Sequence, residues 1–448
     1  MTISRQIGDS QRAEAPAFEP ERGVPAPYRP PSVGSLEGLL DCCYQQEGRW
    51  HAHYKGLTLT SAFQPILSVA HQRVIGHEAL IRARTEDGLP VPPPELFDVP
   101  RTVPERVELD RLCRLLHVAN FSEAPTTDVR WLLVNVDPQV VSSGPGFGSF
   151  FGDLLRHFRV DPSRIIVEIL ENQIPDEDGL AATVAYYREA GCLVAIDDFG
   201  AGHSNFDRIV RLRPNLVKLD RTMVRESACH PVAQRMFPGL IGMLHEAGCL
   251  VVAEGVETEA EAALAFESGA NFIQGYLFAR PGRAPDQRGT EALRDAGAAS
   301  HARRDAQAQQ TQRQLAPYLH RFQQVVTSRR AGVELEVACF RLLNQPGVVR
   351  CFELDAHGRQ QGPNINGTHE SIADPRYQPL QDTEGAAWSQ SGYYRAAITA
   401  PDRLQISRPY LSLTGAHLCI TLSMAIEVDG ETVVVCCDLD SESLPPPE

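Results

Sequence analysis

The sequence predicts an α/β protein: a (β/α)8 TIM-like barrel, then a helical connector and a smaller α+β domain. Between residues 57 and 281, short apolar runs, often β-branched, alternate with longer amphipathic stretches, a pattern typical of parallel βα units. Seven or eight such units in roughly 225 residues fit a (β/α)8 barrel. After residue 332 strand-like runs dominate, and Asp429-Gly430 predicts a tight hairpin between the last two.

The barrel strands are predicted from runs that are short, apolar and bounded by turn residues. In chain order they are RVIGHEAL (73–80), RWLLVNV (130–136), RIIVEIL (164–170), CLVAIDD (192–198), NLVKLD (215–220), CLVVAEGV (249–256) and NFIQGYLF (271–278). The segments between them, such as DGLAATVAYYREAG, have helical spacing of apolar residues.

Outside the barrel, the composition changes at three places and predicts four segments. They are a disordered Pro-rich segment at 1–34, the barrel at 35–285, a helical connector at 286–331 and a PAS-like or Cache-type sensor or regulatory domain at 332–448. Ser35 is a suitable N-cap for a short helix at the start of the second segment. Apolar residues from Leu315 to Val326 fall at helical spacing in the connector.

Composition restricts the classes of partner and the compartment. A hydrophobic fraction of 43% and a charged fraction of 22% are ordinary for a soluble globular protein. The net charge of −15 argues against binding to a nucleic-acid polymer or an anionic membrane. The 11 cysteines include no C-x-x-C pair, and no apolar run is long enough for a signal or a membrane span. We therefore expect a cytoplasmic protein with free thiols.

Almost every predicted barrel strand ends in an oxygen ligand or a lysine. These residues are Glu78, Asn135, Glu168, Asp197, Asp198, Lys218, Glu254, Glu257 and Gln274. Side chains at the carboxyl ends of barrel strands converge on one face, where active sites lie. So many carboxylates are unfavourable together unless hard cations neutralise them, and oxygen ligands suit Mg²⁺ or Mn²⁺ rather than Zn²⁺.

Each residue taken alone has a simpler interpretation. A glutamate at a strand end is usually a solvated surface carboxylate, and Lys218 could merely pair with Asp220. Asp197 and Asp198 precede a glycine-rich turn and could cap an ordinary helix. The occurrence of the whole set at successive strand ends favours a metal site over these alternatives.

The chain resembles the EAL-domain family of cyclic di-GMP phosphodiesterases in seven ordered motifs. They are EALIR (78–82), NVDP (135–138), EILE (168–171), DDFGAGHSN (197–205), KLD (218–220), EGVET (254–258) and QGYLFARP (274–281). His203 and Asn205 stand where this family more often has tyrosine and serine.

The resemblance implies a role for each matching residue. It implies one metal ion held by Glu78, Asn135, Glu168 and Asp197, and a second shared by Asp197 and Asp198. Lys218 and Glu254 would orient and activate the attacking water, and Glu171 would anchor the loop after Asp198 as part of the catalytic group. The substrate would be contacted by Gln64, Leu80, Arg82, Asp220, Glu257, Gln274 and Pro281.

The function implied is hydrolysis of cyclic di-GMP to linear pGpG, with two Mg²⁺ or Mn²⁺ ions, in a homodimer. Two alternatives remain: a barrel that binds the dinucleotide without cleaving it, and a scaffold for protein contact. The last domain could take an unknown ligand or protein partner. Trp388, Tyr394, Arg395, Arg408 and Tyr410 could line a pocket there, or be core and surface residues of an ordinary sheet.

Overall fold

The computed structural model describes residues 35–124, 130–137, 150–170, 177–201, 206–368, 380, 382–413 and 417–445. The chain divides into two compact units, Met1–Ser300 and His301–Glu448. The predicted disordered segment 1–34 lies outside the described residues. The predicted border residues 285 and 331 stay predictions, and each unit is described here by itself.

The first unit consists of strands and helices that alternate along the chain. Its strands are β1 Cys43–Gln46, β2 Arg49–Tyr54, β3 Leu57–Ser68, β4 Arg73–Thr85, β5 Pro90–Val91, β6 Trp131–Asn135, β7 Ile165–Leu170, β8 Leu193–Phe199, β9 Leu216–Leu219, β10 Leu250–Ala253 and β11 Phe272–Ile273. Its helices are α1 Leu36–Leu40, α2 Pro93–Phe97, α3 Val103–Ser122, α4 Phe150–His157, α5 Glu177–Glu189, α6 Phe206–Leu212, α7 Arg221–Cys229, α8 Pro231–Glu246 and α9 Glu259–Ser268. The predicted N-cap is present: the Ser35 side chain accepts a hydrogen bond from the Gly38 N–H.

Eight of these strands close into a barrel, which confirms the predicted fold class. The hydrogen-bonded order is β3-β11-β10-β9-β8-β7-β6-β4, and β4 pairs again with β3. Six neighbouring pairs are parallel, but β3 is antiparallel to both β4 and β11. The alternation of strands and helices alone predicts parallel units. β3 differs because a short turn joins it to β4, and strands joined by a tight turn must be antiparallel.

Helix α10, Thr290–Arg330, follows the barrel strands and is a single helix of 41 residues. It occupies the region predicted to be a helical connector. Its first turns belong to the first unit, where Leu293 is fully buried in the main hydrophobic cluster of the barrel. Among the described residues, no helix has both the length and the hydropathy needed to cross a bilayer.

The second unit has an antiparallel sheet, as the sequence predicts, with helices beside it. Its strands are β12 Val348–Asp355, β13 Gln360–Asn366, β14 Gln405–Ile406, β15 Tyr410–Leu411, β16 Leu418–Val428 and β17 Glu431–Asp440, and its further helices are α11 Leu335–Leu343 and α12 Gly392–Thr399. The order is β13-β12-β17-β16-β14, with β15 also paired to β16. Asp429 and Gly430 both have positive φ, so they form the predicted tight turn between β16 and β17. The PAS-like or Cache-type assignment stays a prediction.

Candidate active site

The barrel interior contains two successive layers of side chains, one apolar and one polar. The apolar layer consists of Ile66, Leu133, Ile166, Ala195, Leu216, Val252 and Phe272. The polar layer consists of Gln64, Glu78, Asn135, Glu168, Asp197, Lys218, Glu254 and Gln274. On six of the parallel strands the polar residue follows its apolar partner by two positions, and on β4 Glu78 follows Gly76 in the same way. Side chains two residues apart on a strand share a face, so all of the polar residues belong to the interior surface at the carboxyl ends.

Strand β3 contributes to this layer in the opposite sense. Gln64 precedes Ile66 by two positions, because β3 runs antiparallel to its neighbours. Gln64 lies directly opposite Glu78 in the β3–β4 register. Its amide nitrogen donates to the carbonyl of Ala279 at 3.3 Å. The antiparallel strand therefore places Gln64 beside Glu78 and Ala279, which both come later in the chain.

Lys218 lies at the centre of the polar layer and contacts four carboxylates. Its Nζ is 2.6 Å from Glu168 Oε1 and 2.8 Å from Glu254 Oε1. It is 3.1 Å from Asp197 Oδ1 and 3.5 Å from Glu78 Oε2. The alternative pairing with Asp220 is absent from the ion pairs of the described residues, where Asp220 instead caps α7 by accepting from the Thr222 N–H at 2.8 Å.

The charges in this cluster do not balance. Burial disfavours the ammonium form of Lys218, but the four carboxylates outweigh burial and raise the pKa of Lys218 well above its ordinary value. Burial raises the pKa of Glu168 well above its ordinary value, opposed by Lys218. Glu254 behaves in the same way. One lysine leaves three negative charges uncompensated when all four carboxylates are ionised, so the site is suited to additional cations.

Asp198 joins the cluster through an unusual backbone conformation. Successive side chains of a regular strand point to opposite faces, which would direct Asp198 away from Asp197. Asp198 instead has a φ of 57°, and its N–H donates to Asp197 Oδ1 at 2.9 Å. As a result, carboxylate oxygens of Asp197, Asp198 and Glu254 lie within 4.8 Å of one another. Burial and the neighbouring Asp197 raise the pKa of Asp198 to about 6.

The adjacent glycine-rich turn packs tightly against α7. Gly200 has a φ of 97°, and a Cβ at this position would lie 2.1 Å from Met223 Cε. A side chain here would therefore disturb both the backbone and the packing beside Asp198. His203 and Asn205, which depart from the family pattern, lie outside the described residues.

Two amide side chains orient the carboxylates. Asn135 Nδ2 donates to Glu168 Oε2 at 3.0 Å, and Gln274 Nε2 donates to Glu78 Oε2 at 2.8 Å. The Gln274 carbonyl oxygen is buried and has no hydrogen-bond partner among the described residues. In metal sites, the ligating carboxylates are typically oriented by hydrogen bonds from neighbouring groups. The side-chain atoms of this cluster that could bind a metal ion are oxygens, which are the ligands that hard divalent cations prefer.

The other residues predicted to bind substrate occupy the rim of the barrel. Leu80 and Arg82 follow Glu78 at intervals of two on β4 and are half-buried. Arg82 donates to the carbonyl of Ile81 at 2.8 Å. Burial lowers the pKa of Arg82. Pro281 is half-buried and precedes Gly282, which exchanges two backbone hydrogen bonds of 2.8 Å with Phe63.

Glu257 lies beyond the polar layer, where its carboxylate pairs with Arg221 at 2.9 Å. Glu171 lies outside the described residues. Two rim residues were missed by the sequence analysis: the Arg280 guanidinium lies 4.4 Å from the centre of the Tyr276 ring. Both belong to the QGYLFARP motif, which was the available signal.

Comparison with known proteins gives a consistent result. Residues 52–281, slightly more than half of the chain, match the EAL domain family. The probable cyclic di-GMP phosphodiesterase PdeB of Escherichia coli is 26% identical over 223 residues, which cover 49% of this chain and 42% of PdeB. The cyclic di-GMP phosphodiesterase RocR of Pseudomonas aeruginosa is 32% identical over 151 residues, which cover 34% of this chain and 38% of RocR. The chain thus spans less than half the length of these relatives.

The fold similarity extends further than the family match. The crystal structure of the Bacillus subtilis YkuI protein, with an EAL domain, in complex with substrate c-di-GMP and calcium, has a TM-score of 0.71 and 21% identity. The similarity covers 85% of this chain and 96% of that chain. It therefore includes residues after 281, and at this identity it concerns the fold alone.

Proposed function

Since the chain belongs to the EAL domain family, we propose that it hydrolyses cyclic di-GMP to linear pGpG with divalent metal ions. The observation that carries the proposal is the contact of Lys218 with four carboxylates at the carboxyl ends of the barrel strands. The names of PdeB and RocR support the substrate and the reaction. A barrel that served only as a scaffold would have no use for such a costly buried charge cluster.

The proposed metal ligands are Glu78, Asn135, Glu168 and Asp197 for one ion, with Asp197 and Asp198 holding a second. Mg²⁺ or Mn²⁺ would supply positive charge to the phosphodiester and lower the pKa of bound water. Asn135 donates to Glu168 Oε2 and Gln274 donates to Glu78 Oε2, so both carboxylates are oriented before a metal ion binds.

The remaining roles are assigned to residues that contact the same cluster. Lys218 supplies fixed positive charge where the phosphodiester becomes most anionic. Glu254 accepts a proton from the attacking water, because its carboxylate is 2.8 Å from Lys218 and within 4.8 Å of carboxylate oxygens of Asp197 and Asp198. Gln64, Leu80 and Arg82 line the approach to the site along β3 and β4 and contact the nucleotide. Gln274 orients the proposed metal ligand Glu78 and also contacts the substrate.

The proposal includes further features that the sequence analysis predicts. Glu171 anchors the loop after Asp198, and Asp220, Glu257 and Pro281 contact the substrate at the rim. The protein is a homodimer in the cytoplasm. The second unit acts as the sensor or regulatory domain.

The test is hydrolysis of cyclic di-GMP by the purified full-length protein with Mn²⁺, followed by separation of the products. We expect pGpG with Mn²⁺ and no product after EDTA treatment. Glu78→Gln and Asp197→Asn should abolish turnover because each removes a charged ligand. Glu105→Gln, which changes a surface carboxylate paired with Lys55, is the matched control and should retain activity.

A separate binding measurement distinguishes an enzyme from a receptor. Calorimetric titration of cyclic di-GMP in EDTA and in Ca²⁺ reports binding without requiring turnover. Tight binding by the wild-type protein with no pGpG at saturating Mn²⁺ would favour the receptor and contradict the proposed reaction.

A further inference from the structure

The second unit contains a cavity of about 170 Å³ that is remote in sequence from the barrel motifs. It lies between β12, β13, β15 and the segment that leads into α12. Four aromatic side chains contribute to its lining: Phe352, Trp388, Tyr393 and Tyr410. Three of these rings pack together, with Tyr393 5.8 Å from Tyr410 and 6.2 Å from Phe352 between ring centres. The walls therefore present flat aromatic surfaces in a fixed arrangement. Of the residues expected from the sequence, Trp388 and Tyr410 line this cavity.

The charged residue of the lining is already neutralised. Arg350 Nε donates to Asp438 Oδ2 at 2.8 Å, and Arg350 Nη2 donates to Ser412 Oγ at 3.0 Å. Asp438 is fully buried and also accepts from Thr421 Oγ1 at 2.7 Å. Arg350 Nη1 takes part in neither of these hydrogen bonds. The cavity wall thus offers a donor without a net charge to be compensated.

A second polar group in the lining lacks a partner. Thr383 is 5% exposed, and its Oγ1 has no hydrogen-bond partner among the described residues. Its neighbours in the lining are satisfied: Trp388 Nε1 donates to Gln360 Oε1 at 3.1 Å, and Gln360 Nε2 donates to Asn364 Oδ1 at 3.0 Å. A buried hydroxyl without a partner is unfavourable. Thr383 Oγ1 therefore indicates that a ligand in the cavity supplies its hydrogen-bond partner.

We propose that this cavity binds an uncharged, planar, single-ring compound that has a carbonyl group, with the ring against the aromatic walls and the oxygen directed to Thr383 and Arg350. The size is appropriate, because an apolar cavity of about 150 Å³ accommodates benzene. Stacking on fixed aromatic faces requires a flat ring. An anion would find no free positive partner because Asp438 already neutralises Arg350, and a cation would find no negative partner because the described lining contains no carboxylate.

Benzamide is the probe that matches this description, and two analogues of benzamide each change one of its features. Benzoate has the same shape with a negative charge, and cyclohexanecarboxamide has the same amide on a ring that is not flat. The indole N–H signals of the full-length protein report the location, because the chain has three tryptophans and Trp388→Phe assigns the one in the cavity. Trp50 and Trp131 belong to the first unit and are internal controls.

We expect benzamide to shift the Trp388 signal with a Kd on the order of 1 mM or below. Benzoate and cyclohexanecarboxamide should both bind at least about tenfold more weakly than benzamide, and the Trp50 and Trp131 signals should not move. No Trp388 shift at benzamide concentrations on the order of 10 mM, as expected for a cavity that contains only water, would overturn the proposal. So would a shift of Trp131 alone, or tighter binding of benzoate.

Thr383→Val retains the shape of the side chain and removes its hydroxyl. The variant should bind benzamide about 3- to 10-fold more weakly, which corresponds to one hydrogen bond, while the ligand-free protein becomes no less stable because the hydroxyl had no partner. Thr432→Val makes the same exchange on β17 away from the cavity and should change neither property. Unchanged benzamide affinity in Thr383→Val would contradict the role of Thr383.

Discussion

Lys218 Nζ and Glu168 Oε1 are 2.6 Å apart in the barrel interior, and neither side chain is more than 1% exposed. Lys218 thus offsets part of a carboxylate cluster that would otherwise repel itself. The chain has one other lysine, Lys55, which pairs with Glu105 at 2.7 Å near the surface. The two lysines therefore allow a buried ion pair to be compared with one near the surface.

Lys218→Met should reduce cyclic di-GMP hydrolysis by at least about 100-fold, because the site loses its fixed cation. The free energy of unfolding in EDTA should fall by roughly 3 kcal/mol, because Glu168 is left buried without its partner. Product separation and urea denaturation measure the two effects. Lys55→Met should retain activity and change stability by less than about 1 kcal/mol. Equal effects of the two substitutions would contradict the central role of Lys218.

Asp198 combines a charge with a left-handed backbone, and two substitutions separate them. Asp198→Asn should weaken Mn²⁺ binding with little loss of stability, because asparagine tolerates positive φ. Asp198→Ala should lose the charge and also about 1 kcal/mol of unfolding free energy from backbone strain. Calorimetric Mn²⁺ titration and urea denaturation are the measurements. Asp429→Asn, at another positive-φ aspartate in the second unit, should leave Mn²⁺ affinity unchanged. Undiminished Mn²⁺ affinity in Asp198→Asn would remove Asp198 from the ligand set.

His117 should make the protein less stable as the pH falls. It is buried in α3, where Nδ1 is 2.8 Å from Ser61 Oγ, and burial together with Arg82 lowers the pKa of His117 to about 3. The folded protein therefore keeps His117 neutral while the unfolded chain binds a proton below about pH 6.5. Between pH 6.5 and 3, stability should fall by about 1.4 kcal/mol per pH unit from this group.

The corresponding measurement is urea denaturation at pH 7 and pH 5. His117→Gln should reduce the loss of stability between these values by about 2 kcal/mol, because glutamine does not titrate. His157, an exposed histidine of α4, is replaced by glutamine as the control. If His117→Gln and the wild-type protein lose the same stability, the neutral buried state of His117 is wrong.

The end of the barrel unit is tested by two truncations. A chain ending at Ser300 retains Leu293, which is fully buried in the barrel cluster, and Asp286, whose backbone carbonyl is 2.9 Å from His77 Nε2. A chain ending at Pro285 loses both groups. We expect the longer form to fold and to hydrolyse cyclic di-GMP, and the shorter form to be less stable by roughly 3 kcal/mol, mainly from the lost leucine. Equal stability of the two forms would support the predicted boundary at residue 285.

Seven of the eight barrel strands and most of the polar layer could be predicted from the sequence, whereas β3 was not among the predicted runs. Runs such as RIIVEIL predict buried parallel strands, and the period of two along each strand assigns Ile166 and Glu168 to one face. The same rule applies to Leu216 with Lys218 and to Val252 with Glu254. These relationships are local, because they depend on the strand geometry of a few consecutive residues.

Other features depend on contacts that no local rule contains. The sequence left Lys218 with Asp220 as an alternative partner, but the closure of the barrel brings four carboxylates from different strands to Lys218. The direction of β3 places Gln64 opposite Glu78, and the left-handed conformation of Asp198 turns its carboxylate toward Asp197. The cavity at Thr383 requires side chains from separate strands of the second unit.

The sequence by itself thus determined which side chains belong to the interior face of most barrel strands, because the alternation of a regular strand is a property of the local backbone. Only the tertiary structure decided which of these side chains meet, at what distance and with which charge balance. The reason is that the strand stagger, the antiparallel closure by β3 and the turn after Asp197 set distances across the barrel. These distances arise from packing among residues far apart in the chain, as between Lys218 and Glu78, and not from the composition of any single segment.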